Sequence, residues 1–165
     1  MKKRILGKSG LEVSEIGLGC WQLGGDFGPV GDATAHDILA AADRAAINFW
    51  DTADVYGGGL SESRIREYTA DSDAEIIVAT KVGRDGALFP DGYTKENVRS
   101  NIEGSLPRKG GEAIDMVQLH CIPPAVLEEG EIFTWLEDFQ SDGLIRHFGA
   151  SVETIDEAHV AMRHP

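Results

Sequence analysis

Short apolar runs that alternate with segments of helical periodicity set the tightest limit on how this 165-residue chain can fold. The runs are Glu15–Gly19 (EIGLG), Ile47–Asp51 (INFWD), Glu75–Lys81 (EIIVATK), Ile114–His120 (IDMVQLH) and Ile145–Ser151 (IRHFGAS), and each reads as a buried strand. Helical patterns follow them over Thr34–Ala46, Glu62–Tyr68, Lys95–Leu106, Ile132–Gln140 and Ile155–Arg163. Asp32, Ser61 and Thr94 stand where N-caps belong, and Thr154 with Glu157 has the T-x-x-E spacing of a capping box. Pro107 is expected to end or kink the third helix early. Strand then helix, repeated, calls for parallel strands joined by right-handed crossovers, an α/β architecture. The opening differs: Lys3–Leu6, the turn GKSG and Leu11–Ser14 read as a β-hairpin ahead of the repeats. No linker-like stretch or composition shift interrupts the chain, so residues 1–165 read as one domain.

Two sheet types suit such a pattern. An open dinucleotide-binding sheet needs G-x-G-x-x-G after its first strand, and GLGCWQLGG has the wrong glycine spacing, so a parallel barrel is the better reading. The partners are limited by charge. With 15 Lys and Arg against 28 Asp and Glu, the net charge is −13, which argues against nucleic acid or an anionic membrane surface. No stretch approaches the roughly 20 apolar residues of a membrane span. The basic opening MKKRILGKSG has no apolar run of signal-peptide length behind it, so export is not expected. Cys20 and Cys121 are too few for a disulfide framework, and a reducing cytoplasm is the expected location.

The polar residues that break the apolar runs carry the chemistry. INFWD ends at Asp51, EIIVATK at Lys81 and IDMVQLH at His120, while Tyr56 follows Asp51 in DTADVYG. A buried charge costs several kcal/mol unless it is paired, and in a parallel barrel all C-terminal strand ends share one face. The group suits proton transfer to a carbonyl oxygen. A free tyrosine has a pKa of about 10, so it needs a nearby cation to act as an acid; Lys81 would supply that cation, Asp51 would keep it charged and His120 would bond the substrate oxygen or relay the proton. No metal-ligand spacing is present, and a tyrosine supplies no hydride, so carbonyl reduction would require a redox cofactor.

The stretch RILGKSGLEVSEIGLGCWQLGG, the segment DTADVYGGG, the strand ending ATK, the strand VQLH and IRHFGAS together resemble the aldo-keto reductases, from the first residue to the last. The resemblance implies a (β/α)8 barrel of the TIM type with an N-terminal hairpin closing its bottom, and NADPH-dependent reduction of aldehydes and ketones. The family's catalytic Asp, Tyr, Lys and His fall on Asp51, Tyr56, Lys81 and His120. For the cofactor, the resemblance implies Cys20 and Trp21 beside the nicotinamide, Asp51 near its ribose and Ser151 on its carboxamide, with Val152 where many members have Asn. A TIM barrel takes about 250 residues, so only about the first five βα units are expected here; the groups that grip the dinucleotide phosphates belong to strands six to eight. The implied partner is a small carbonyl compound. Strand edges left open by the missing units would favour a homo-oligomer. The alternative is a non-catalytic fragment or interaction module that keeps the fold.

Other residues read as structural. His36, His147, His159 and His164 are expected in packing or surface roles, Cys121 as a structural thiol, Trp50 as core, and Gly57–Gly59 as a tight turn. The acidic residues of VLEEGEIF and ETIDEA read as solvated helix faces.

Overall fold

In the computed structural model, which describes residues 1–109 and 112–164, the opening hairpin pairs β1 (Lys3–Ile5) with β2 (Glu12–Ser14) in antiparallel register, Arg4 opposite Val13. The turn closes through Leu6 and Leu11 main-chain groups, with Gly7 and Gly10 in the left-handed region. Backbone contacts divide the chain into two units. The first holds Met1–Thr80 and takes in Arg108; the second holds Lys81–Pro107 and the described residues from 112 onward.

In the first unit, β3 (Leu18–Gly19), β4 (Phe49–Asp51) and β5 (Ile77–Val82, of which the first four residues belong here) run parallel, with Leu18 opposite Trp50 and Trp50 opposite Val78. The first two are shorter than their apolar runs. Residues 15–17 are exposed and Ser14 bonds Ile16 through its hydroxyl, so that stretch is a bend. Helix α1 (Asp32–Arg44) buries Ala35, Leu39 and Ala42, spaced four and three apart, against Trp50, Ile65 and Val78. Gly31, not Asp32, is its N-cap. Helix α2 (Leu60–Ala70) likewise starts from Gly59, whose φ of 92° requires glycine. Ser61 lies inside that helix, where its hydroxyl accepts from Thr52 and donates to the Cys20 carbonyl instead of capping. Trp50 is fully buried, as expected, with its indole N–H on the Ile47 carbonyl.

In the second unit, β6 (Ile114–His120) and β7 (Ile145–Ser151) have the bounds the sequence predicts and pair in parallel from Ile114 opposite Ile145 to His120 opposite Ser151. Their apolar residues join Val98 and Ile102 of α3 (Lys95–Lys109), Leu127 of α4 (Pro124–Glu129) and Leu136 and Phe139 of α5 (Glu131–Ser141) in one core. Thr94 caps α3 through the Asn97 N–H. Pro107 neither ends nor truncates α3. Its missing N–H would have bonded the carbonyl of Glu103, an exposed residue that water reaches. The sequence also hides α4, because Gly130, at φ 75°, both terminates it and caps α5 within what reads as one acidic helix face. Helix α6 (Ile155–Ala161) has both bonds of the predicted capping box, Glu157 N–H to Thr154 and Thr154 N–H to Glu157. Beyond it His164 stacks on Phe133, ring centroids 4.2 Å apart, a packing role.

Asn48 joins the hairpin to the sheet of the first unit. Only 7% exposed, it accepts from the Ser14 N–H at 2.7 Å, donates its side-chain amide to the Glu12 carbonyl at 3.0 Å, and gives its own N–H to the Ser14 hydroxyl. Asn48→Ala leaves the buried Ser14 N–H without its partner and should lower stability by about 2 kcal/mol in urea denaturation.

Candidate active site

The first unit carries two of the sequence-predicted catalytic residues. Asp51 is the last residue of β4, in register with Gly19 and Ala79, and its carbonyl accepts the Cys20 N–H at 2.8 Å. Tyr56 begins a 3₁₀ turn (Tyr56–Gly59) and is 9% exposed, its N–H bonded to the Ala53 carbonyl. Trp21 begins another 3₁₀ turn (Trp21–Gly24) after β3 and lies parallel to Tyr56, with centroids 5.4 Å apart and 14° between planes. At 47% exposed, the indole keeps much of its surface open, and its edge meets the exposed Phe27 ring at 4.7 Å. The two turns touch through their main chains. A Cβ added to Gly24 would lie 2.6 Å from the Gly57 nitrogen and the Tyr56 carbonyl carbon, so only glycine allows this approach. The structure treats Cys20 differently from Trp21: its side chain is fully buried among Leu23, Leu39 and Trp50, with the thiol toward the Leu18 carbonyl.

Two charged residues of α2 that no local sequence pattern singles out are buried beside these turns, and Arg64 holds the one after β3. Arg64, 8% exposed, donates to the carbonyls of Leu23 at 2.6 Å and Val30 at 2.7 Å and to the Asp32 carboxylate. Glu62, buried, accepts from the Thr80 hydroxyl and the Arg108 guanidinium. A charged residue on a helix reads as solvated, and only the loop carbonyls that surround Arg64 reveal otherwise.

The second unit carries the other two. Lys81 is 5% exposed and stands one residue before the end of β5, which runs on to Val82. His120 ends β6 and is the register partner of Ser151, which ends β7. Cys121 then turns the chain with φ 44°, gives its N–H to the Ser151 carbonyl and accepts Arg84 Nη1 at 3.3 Å. Arg84, absent from the sequence reading, also lies over the Phe89 ring at 4.7 Å. Burial chiefly, and then the positive charges of Lys81 and Arg84, push the His120 imidazole down to about 4, so it is neutral at pH 7. It can orient a carbonyl by hydrogen bonding, but it holds no imidazolium proton to give away. Tyr93, by contrast, is a structural phenol: burial drives it up to about 12, and it donates to the Gly83 carbonyl. Val152 packs against the apolar core of this unit. Among the described residues, no three His, Cys, Asp or Glu side chains gather as metal ligands, and no helix is long and apolar enough to cross a membrane.

The comparisons with known proteins agree with this architecture. The model of the aldo/keto reductase family matches residues 15–165, and the chain belongs to that family. It is 34% identical over 158 residues to L-galactose dehydrogenase of Arabidopsis thaliana, covering 93% of this chain and 49% of that protein. It is 32% identical over 178 residues to an NADH-specific methylglyoxal reductase of Escherichia coli, covering 97% of this chain and 54% of that protein. Among solved structures, the holo form of an aldo-keto reductase from Bacillus halodurans superposes with a TM-score of 0.84 at 32% identity, over 99% of this chain and 54% of that one. The chain thus spans about half the length of the curated relatives it matches. Its homologues are oxidoreductases, and its fold class is the α/β architecture of TIM-type barrels, of which it carries a part.

The neutral imidazole has a thermodynamic consequence. Unfolded histidine titrates near 6.5 and folded His120 near 4, so between these values the unfolded chain binds the extra proton. The His120 contribution is therefore complete above about pH 6.5 and is lost as pH falls toward about 4. Urea midpoints of His120→Asn should fall less than those of the wild type between about pH 7 and about pH 5; parallel pH profiles would show that His120 is not held neutral.

Proposed function

We propose that this chain provides the catalytic residues of an oxidoreductase that reduces aldehydes or ketones to alcohols with a nicotinamide dinucleotide, NADPH in our reading. One observation carries the proposal most directly: Asp51 and His120 end their strands, Lys81 stands one residue from the end of its strand, and Tyr56 opens the turn that follows β4. When bound, the cofactor supplies a hydride to the carbonyl carbon. The residues present suit its nicotinamide end. Trp21 offers an open aromatic surface and Ser151 a half-buried hydroxyl at a strand end, and Asp51 is assigned to the ribose. Because the Cys20 thiol is enclosed in the core, Cys20 would serve the cofactor by shaping the turn that presents Trp21.

Tyr56 gives its phenolic proton to the substrate oxygen. Lys81 is assigned as the cation that favours the phenolate left behind, and Asp51 as the carboxylate that keeps this cation charged. His120 enters as a neutral hydrogen-bond donor that orients the carbonyl, which fits an imidazole held down near 4. A relative named as NADH-specific makes the choice of coenzyme a matter for parallel titration with NADPH and NADH. Both cysteines are present as thiols, which supports a cytoplasmic setting.

Tyr56→Phe should lower kcat for aldehyde reduction roughly 10²- to 10⁴-fold, the usual size of general-acid catalysis, while dinucleotide affinity measured by fluorescence titration changes little. Lys81→Met should be similarly impaired. Wild-type turnover in Tyr56→Phe would remove the assignment.

A further inference from the structure

We propose that Asp26 is a positioning residue for Trp21, holding the indole against Tyr56 and thereby setting how tightly a carbonyl substrate is bound. This rests on Tyr56 being the proton donor, and it extends that reading to a residue that acts through Trp21. One carboxylate oxygen, Oδ2, accepts both the Trp21 indole N–H at 3.0 Å and the Gly57 main-chain N–H at 3.2 Å. The two donors come from different turns, and Gly57 is the residue directly after Tyr56. A single oxygen therefore fixes the position of the indole relative to the backbone that carries the phenol.

Burial does not fix the indole, since nearly half its surface is open and Phe27, its other aromatic neighbour, is itself exposed. An indole has one polar handle, a single N–H donor, and here Asp26 takes it. Tyr56 is secured separately, by its own burial and by its N–H on Ala53. The far side of the loop is secured by Arg64 at Leu23 and Val30. Losing the Asp26 carboxylate should thus loosen the wall beside the phenol and leave the phenol in place. The kinetic signature of such a loss is a change in KM with kcat retained.

The test combines quenching with kinetics. The chain has three tryptophans, of which Trp50 is fully buried and Trp135 partly so, and acrylamide reads Trp21 first. With the Trp21→Phe signal subtracted, Asp26→Ala should shift Trp21 emission to the red and increase its quenching. It should also raise KM for an aldehyde substrate roughly tenfold, the loss of one hydrogen bond to a charged group, with kcat little changed. Asp26→Asn should restore both readouts, because an amide oxygen can take both N–H donors. In a Trp21→Ala background, Asp26→Ala should add nothing further. Wild-type emission and quenching in Asp26→Ala would overturn the tether; altered quenching with unchanged KM, or a fall in kcat alone, would overturn the role in substrate binding. A wild-type protein without carbonyl turnover would instead overturn the proposed function, and quenching would still decide whether Asp26 holds the indole.

Discussion

Much of the first unit depends on the approach of two main chains with no side chain between them. Where the turn after β3 meets the turn after β4, Gly24 and Gly57 face each other so closely that neither position has room for a Cβ. Gly57 also has φ 59°, so any other residue there would be strained as well as crowded. Bringing backbones this close leaves polar groups to be satisfied locally. Charged side chains do this: Asp26 takes the Gly57 N–H, and Arg64 takes the carbonyls of Leu23 and Val30. The aromatic stack of Trp21 on Tyr56 follows from that approach, because each ring adjoins one of the touching turns.

In the second unit the governing feature is a concentration of positive charge in a partly buried setting. Lys81 and Arg84 both act on His120, and burial acts in the same direction. The imidazole is thereby kept neutral, which suits a group that must hydrogen-bond an oxygen without competing for its proton. The overall charge of −13 conceals this local inversion of sign. Composition limits the partners of a protein but says little about the field at one strand end.

The elements most legible in the sequence were those with a complete local signal. β6 and β7 have the predicted bounds because turn and bend residues flank both segments, and α6 begins where its capping box says it should. At the starts of β3 and β4, Ser14 and Asn48 bond each other between the hairpin and the sheet, a contact between residues 34 apart that no local window contains. The cap of α2 falls on Gly59 with Ser61 engaged by Thr52 and Cys20, and that of α1 falls on Gly31 with the Asp32 carboxylate bonded to Arg64. The strand-end residues stood out in the sequence because each interrupts an apolar run. Asp26, Glu62, Arg64 and Arg84 did not, since polar residues are ordinary in loops and on helices, and only tertiary placement gives them a task.

Cys121 links two of these observations. Its left-handed φ, unusual for a residue with a side chain, sets the two peptides that flank its Cα so that its N–H meets the end of β7 at Ser151 while its carbonyl meets Arg84. Residue 121 therefore bridges the loop that follows β5 and the terminus of β7. Arg84 is one of the cations that lower the proton affinity of His120, so a single residue bonds both the end of β7 and a group that sets the charge state of the imidazole.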